Sequence, residues 1–162
     1  MTEHRPRFFK SDAEIEHLGE GLLACTLKRE EWTHEAHLAA TTCLLLRRPD
    51  IDLDNELPDL IRRYNESVGG VNSDAEGYHE TITRVFLHGV RLFLGEADPD
   101  ELLHELVNEL LLSPMGRRDW PLRFYSRERL LSVEARRHFS SPDVAALPSY
   151  SAGSRTRQPA SP

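Results

Sequence analysis

Sulfur is scarce. The 162-residue sequence holds 2 cysteines, Cys25 and Cys43. Neither belongs to a Cys-x-x-Cys spacing, which argues against a thiolate zinc site or a redox pair. The count would permit one disulfide, but both lie in apolar segments, and two buried free thiols suit a cytoplasmic protein better. Long apolar runs are also missing: none is long enough to span a bilayer, and the opening MTEHRPRFFKSDAE has no stretch of the secretory type. Cytoplasmic localisation and no membrane partner are therefore expected. An excess of basic charge is lacking too, since 20 Lys and Arg face 27 Asp and Glu, a net charge of −7. With a pI near 5.6, the chain is not expected to bind nucleic acid, which calls for a basic face. There is no internal repeat and no convincing strand pattern.

What is present is helical periodicity. Hydrophobic residues make up 39% of the chain and charged ones 29%, ordinary for a globular protein. This length fits a single domain that can bury roughly two thirds of its unfolded surface. A first helix opens at Ser11, where Ser11 and Glu14 form a capping box ahead of Ile15, Leu18, Leu22 and Leu23. The second runs from Thr33 as N-cap to Arg47 and stops before Pro49. The third covers about 54–67 and is expected to tolerate Pro58 as a first-turn residue. After the loop SVGGVNSDAEG, a fourth runs from about Tyr78 to Leu94. A fifth is expected to begin with Pro99 at its first position and to end at Leu112. Beyond it, FYSRERLLSVEARRHF reads as two short pieces capped by Ser126 and Ser132. The expected fold is all-α: a single-domain bundle of about five main helices plus short C-terminal pieces over 1–147. A Ser/Pro/Gly/Ala-rich tail over 148–162 is expected to be disordered.

Histidine carries the functional signal. His34 and His37, in EWTHEAHL, are three apart and so share a helix face, one that continues into Thr41, Leu44 and Leu45. In the fourth helix, stepping back from Phe93 through Val90, Phe86 and Ile82 leads to His79. Three imidazoles at the polar ends of two core stripes match the first shell of a zinc, iron or copper site. Facing helices of a bundle build cofactor sites from such inward polar residues. The expected metal ligands are thus His34, His37 and His79, with Glu80 or Glu76 adjacent, and Glu80 is expected to act as a catalytic carboxylate. Glu35 is rotated about 100° from His34 and is expected to face solvent or the next shell. The HEAH spacing is not the zincin HExxH motif, whose histidines are four apart. A di-iron centre built on Glu-x-x-His pairs lacks the inward mid-helix glutamates it needs, and His17 and His104 sit in segments that read as solvated.

The segment GRRDWPLRFYSRER either closes over a pocket and clamps an anion through arginine, or is a solvated run whose stems cover the bundle end. Tyr125 and Arg127 are the residues expected to orient a substrate. Asn65 is expected to cap the third helix and Trp32 to pack as a staple. Together these features point to a small metal-dependent enzyme, hydrolytic or oxidative, acting on a small polar or anionic substrate. Two alternatives stand beside it: a metal-free enzyme using a His/Glu acid–base pair, and a non-catalytic helical protein that binds a small ligand. The oligomeric state is left open.

The strings EWTHEAHL, IRRYNE, GYHETIT and FYSRERLLSVEAR, spread over residues from about 31 to 137, resemble a group of small uncharacterised bacterial helical proteins. That resemblance implies no particular activity, substrate or cofactor.

Overall fold

Helix signals and their caps decide most of the architecture. The computed structural model describes residues 5–150. Its main helices are α1 (Asp12–Ala24), α2 (His34–Arg47), α3 (Leu53–Ser67), α4 (Glu80–Glu96) and α5 (Leu103–Leu112), followed by short α6 (Arg127–Leu130) and α7 (Val133–Arg137). Among the described residues there is no strand. Ser11 caps α1 with the reciprocal Glu14 contact, and Thr33, Ser126 and Ser132 each accept a first-turn N–H of α2, α6 and α7. Each cap satisfies a backbone donor that the helix itself cannot.

Three boundaries depart from the sequence expectation. Helix α3 starts at Leu53 behind the Asp52 cap, which puts Pro58 past the first turn, where its missing N–H leaves the Asp54 carbonyl without its helical partner. Helix α4 starts at Glu80, so His79 is its N-cap and not a residue of its stripe. Helix α5 starts at Leu103 and not at Pro99, which lies in a turn where Asp98 accepts from the Asp100 N–H. Leu102 offers no side-chain cap. The acceptor comes instead from Asp12 at the start of α1, which takes both the backbone N–H and the ring Nδ1–H of His104 at 2.9 and 2.5 Å. His104, expected in solvent, therefore ties two helices together.

Helix α1 lies along α2, with α3 and α5 against α1 and with α4 and α5 against α2. Ile15, Leu22, Leu44, Val107 and Leu110 are essentially inaccessible in this core. Cys43 is buried within it and Cys25 half-buried, both as free thiols, and burial pushes the Cys43 thiol up to about 11. The outer side of α4 supports a second apolar cluster of Val85, Trp120, Phe124, Tyr125 and Leu130. Gly89 makes room for it, since a β-carbon there would come within 2.7 Å of the Trp120 ring. Residues 148–150 of the expected tail are held: His88 donates to the Pro148 carbonyl at 2.6 Å, and its ring sits 5.0 Å from Tyr150. The remainder of that tail lies outside the described residues. No helix is long and apolar enough to cross a membrane among the described residues.

Candidate functional site

The three histidines have separate employments. Thr33 ends an extended entry into α2, so its hydroxyl accepts from the Ala36 N–H while its carbonyl accepts the ring Nδ1–H of His37 at 2.6 Å. That bond fixes the His37 tautomer and leaves Nε2 as a lone pair. Burial pushes the His37 imidazole down to about 4, the Thr33 bond opposes the shift, and neighbouring His34 adds to it. His34, one turn before, donates Nε2–H to the Gly116 carbonyl at 2.8 Å and sets its ring 5.4 Å from Phe86, edge-on. His79 uses both nitrogens. As N-cap, its Nδ1 accepts from the Ile82 N–H at 3.1 Å, while Nε2–H donates to the Leu130 carbonyl at 2.8 Å. Burial holds its pKa below the usual imidazole value.

His34 and His37 thus lie close enough to feel each other, but His79 is committed to capping α4 and holding α6. Among the described residues no three His, Cys, Asp or Glu side chains come together as a metal-holding group. The register of α4 explains the difference. Starting the helix one residue after His79 turns that ring along the helix axis toward the first-turn amides and away from a side-facing stripe.

The carboxylates are engaged as well. Glu80 accepts from the Tyr78 hydroxyl at 2.6 Å and from Arg84 Nε at 2.7 Å. Burial would raise its pKa, but these two bonds outweigh it and hold the carboxyl below its ordinary value. Arg84 and Arg91 converge on Asp54, and Arg62 lies 4.3 Å over the Tyr78 ring, so Glu80 belongs to a network that joins α3 to α4. Glu35 is buried, not solvent-facing, with Arg118 at 4.0 Å. Tyr125 is buried with its hydroxyl donated to the Ser140 carbonyl at 2.7 Å, which makes it a fastener of the C-terminal segment. Arg127 is exposed at the first position of α6.

A cavity of about 210 Å³ lies against Trp32; neither His34 nor His37 lines it, and His37 adjoins it only through its ring contact with Trp32. Trp32, Tyr64, Asn65, Arg29 and Glu76 line it, together with the main chain around Gly70 and Gly77. Trp32 is held between two rings, 3.9 Å from His37 and 5.2 Å from Tyr64. Tyr64 is anchored by its hydroxyl on the Leu27 and Lys28 carbonyls. The wall is the loop after α3. Gly69, at φ +82°, lets the Gly69 and Gly70 amides fold back on the Glu66 and Asn65 carbonyls, the glycine-terminated helix ending. Asn72 then ties the loop together: it accepts from Asn65 and from the Tyr78 N–H and donates to the Arg62 carbonyl and Glu66. Asn65, expected as a cap, instead holds Asn72. The Nε1–H of Trp32 is buried and has no hydrogen-bond acceptor among the described residues.

A second, open concavity of about 1170 Å³ runs past Trp120, Phe124 and Met115, with Glu101, Glu105 and Glu109 of the α5 region along one side. Desolvation, a hydrogen bond to Glu109 and the neighbouring carboxylates push the Glu101 pKa up. Comparisons with known proteins add no guide to either cavity: no family model, curated protein or solved structure matches the chain.

Proposed function

We propose that this chain is a small-ligand-binding helical protein whose site is the cavity between Trp32, the end of α3 and the 68–77 loop. The observation that carries it is the buried indole N–H of Trp32, which has no acceptor among the described residues and belongs to a side chain that lines the cavity. A buried donor left unpaired costs about 1–3 kcal/mol, and native proteins keep few of them, each with a reason. A bound molecule whose acceptor reaches this N–H, once the side chains covering it shift, supplies that reason. At about 210 Å³ the space is smaller than pockets for drug-sized ligands, so the ligand is a small one.

The chemistry of His37 supports binding over proton abstraction. An imidazole with a pKa of about 4 is neutral and weakly basic at pH 7, poorly matched to a general base, and His37 meets the site only by stacking on Trp32. The test is a screen of small metabolites by thermal shift, read in parallel through tryptophan emission on wild type and Trp32→Phe. A ligand that raises Tm and shifts the emission in wild type, but not in the variant, is expected; a hit whose effect ignores Trp32 would move the site elsewhere.

A divalent transition metal on His37 and His34 is a second reading, favoured by one observation. Each ring donates an N–H to a main-chain carbonyl, the arrangement that orients metal-bound histidines. Near-stoichiometric zinc, iron or copper in tag-free protein, lost in His37→Ala, would establish it.

A further inference from the structure

The cavity beside Trp32 also carries a charge pattern. Arg29 and Glu76 both line it, and neither side chain has an ion pair or hydrogen bond among the described residues. Several charged groups around them are occupied. Asp74 is held by Arg137 at 2.6 Å, Arg62 by Asp59 and the Tyr78 ring, Glu31 by His17, and Glu66 by Asn72. Arg29 and Glu76 lie on different segments, the 3-10 turn before Trp32 and the loop before α4. Trp32 lines the same cavity, and among the described residues no ion pair joins the two charges within 4 Å.

We infer that the ligand is a small zwitterion of the α-amino-acid type, its carboxylate on Arg29 and its ammonium on Glu76, with its side group against Trp32. The inference rests on the binding reading above. Charge-assisted bonds are the strong ones available to such a ligand: guanidinium offers a planar fork to a carboxylate, and a carboxylate accepts the ammonium donors. A neutral ligand would leave both charges unused. A molecule with one charge would satisfy one side and leave the other unmatched. The cavity's small size favours a free amino acid over a peptide.

Isothermal titration of the full chain with a panel of free L-α-amino acids tests this, alongside the N-acetyl and carboxamide derivatives of whichever binds best. Binding is expected for the free amino acid and is expected to weaken by about tenfold or more in each derivative, since each loses one charged contact. Arg29→Gln and Glu76→Gln sit at exposed positions, so both variants should keep the wild-type Tm. They should match those losses selectively: Arg29→Gln tolerates the carboxamide and Glu76→Gln tolerates the N-acetyl form. If neutral or singly charged metabolites bind through Trp32 while every amino acid fails, the zwitterion is overturned and the pocket stands. If no compound perturbs Trp32 emission, both fall.

Discussion

In the body formed by α1, α2, α3 and α5, side chains meet side chains. Ile15, Leu22, Leu44 and Leu110 interdigitate, and the helices bring their own caps or borrow one, as α5 does from Asp12. On the outer face of α4 the order is reversed. There an irregular C-terminal chain, which cannot satisfy its own backbone, is fastened by polar side chains. His79 takes the Leu130 carbonyl, Thr81 both the His138 carbonyl and the Ser140 N–H, Tyr125 the Ser140 carbonyl, and His88 the Pro148 carbonyl. The contrast explains why histidines sit on an otherwise apolar element. Regular helices close their own ladders, but a 3-10 and loop segment laid over them leaves carbonyls that need donors. His79 and His88 are such donors. His37 differs from them, since its bond is to its own helix entry, the Thr33 carbonyl.

That contrast can be broken, beginning with its strongest elements. Trp120→Ala should cost about 3–5 kcal/mol, because Trp120 is the largest member of the α4 cluster and is buried. Leu110→Ala in the helical body should cost about 2–5 kcal/mol. Urea melts followed by hydrogen exchange separate the two: the first should deprotect residues 120–147 before the helices, the second should lower protection everywhere. If the Trp120 variant loses the whole protein in one step, the two regions are one cooperative unit.

Acid should weaken both regions through their histidines. The sign follows from depressed pKa values: below about 6.5 the unfolded chain takes up protons that folded His37 refuses until about pH 4. Stability is therefore full above 6.5 and lost as pH falls through that window. The loss from His37 is on the order of 3 kcal/mol at 1.36 kcal/mol per unit. His79, also depressed, adds to it in the same direction. His37→Gln should flatten the pH profile measured by chemical denaturation; an unchanged slope would remove His37 from it.

Smaller effects sharpen the picture. His79→Ala should cost about 1–3 kcal/mol by leaving the Leu130 carbonyl and the first-turn amide unpaired. His79→Asn should recover about 1 kcal/mol of that, because asparagine restores the cap alone. Tyr125→Phe should cost about 1 kcal/mol, and Arg127→Ala should leave the unfolding midpoint unmoved.

The helices are legible in the sequence wherever their signals are local. Ser11, Thr33, Ser126 and Ser132 announce their helices because cap and amide lie within three residues of each other. The start of α5 is not legible, since its acceptor, Asp12, is 92 residues away, and Pro99 supplied a plausible local substitute. The same reason hides the role of His79. A one-residue change in where α4 begins converts a stripe residue into a cap, and the partner that secures it, Leu130, is 51 residues distant. Trp32, Asn65 and Glu76 each stand out as polar or aromatic punctuation beside a helix end. Only the return of the loop through Asn72 brings them to one cavity, and no periodicity encodes that.

Asn72 has a thermodynamic consequence of its own. Because its amide is already bonded on both sides, the rim it braces has little freedom left to surrender when a guest arrives. The ordering penalty that weakens recognition by floppy segments is largely absent. A few well-placed charges could then hold a molecule too small to bury much surface, and loosening that single amide would erode affinity without touching any group that meets the guest.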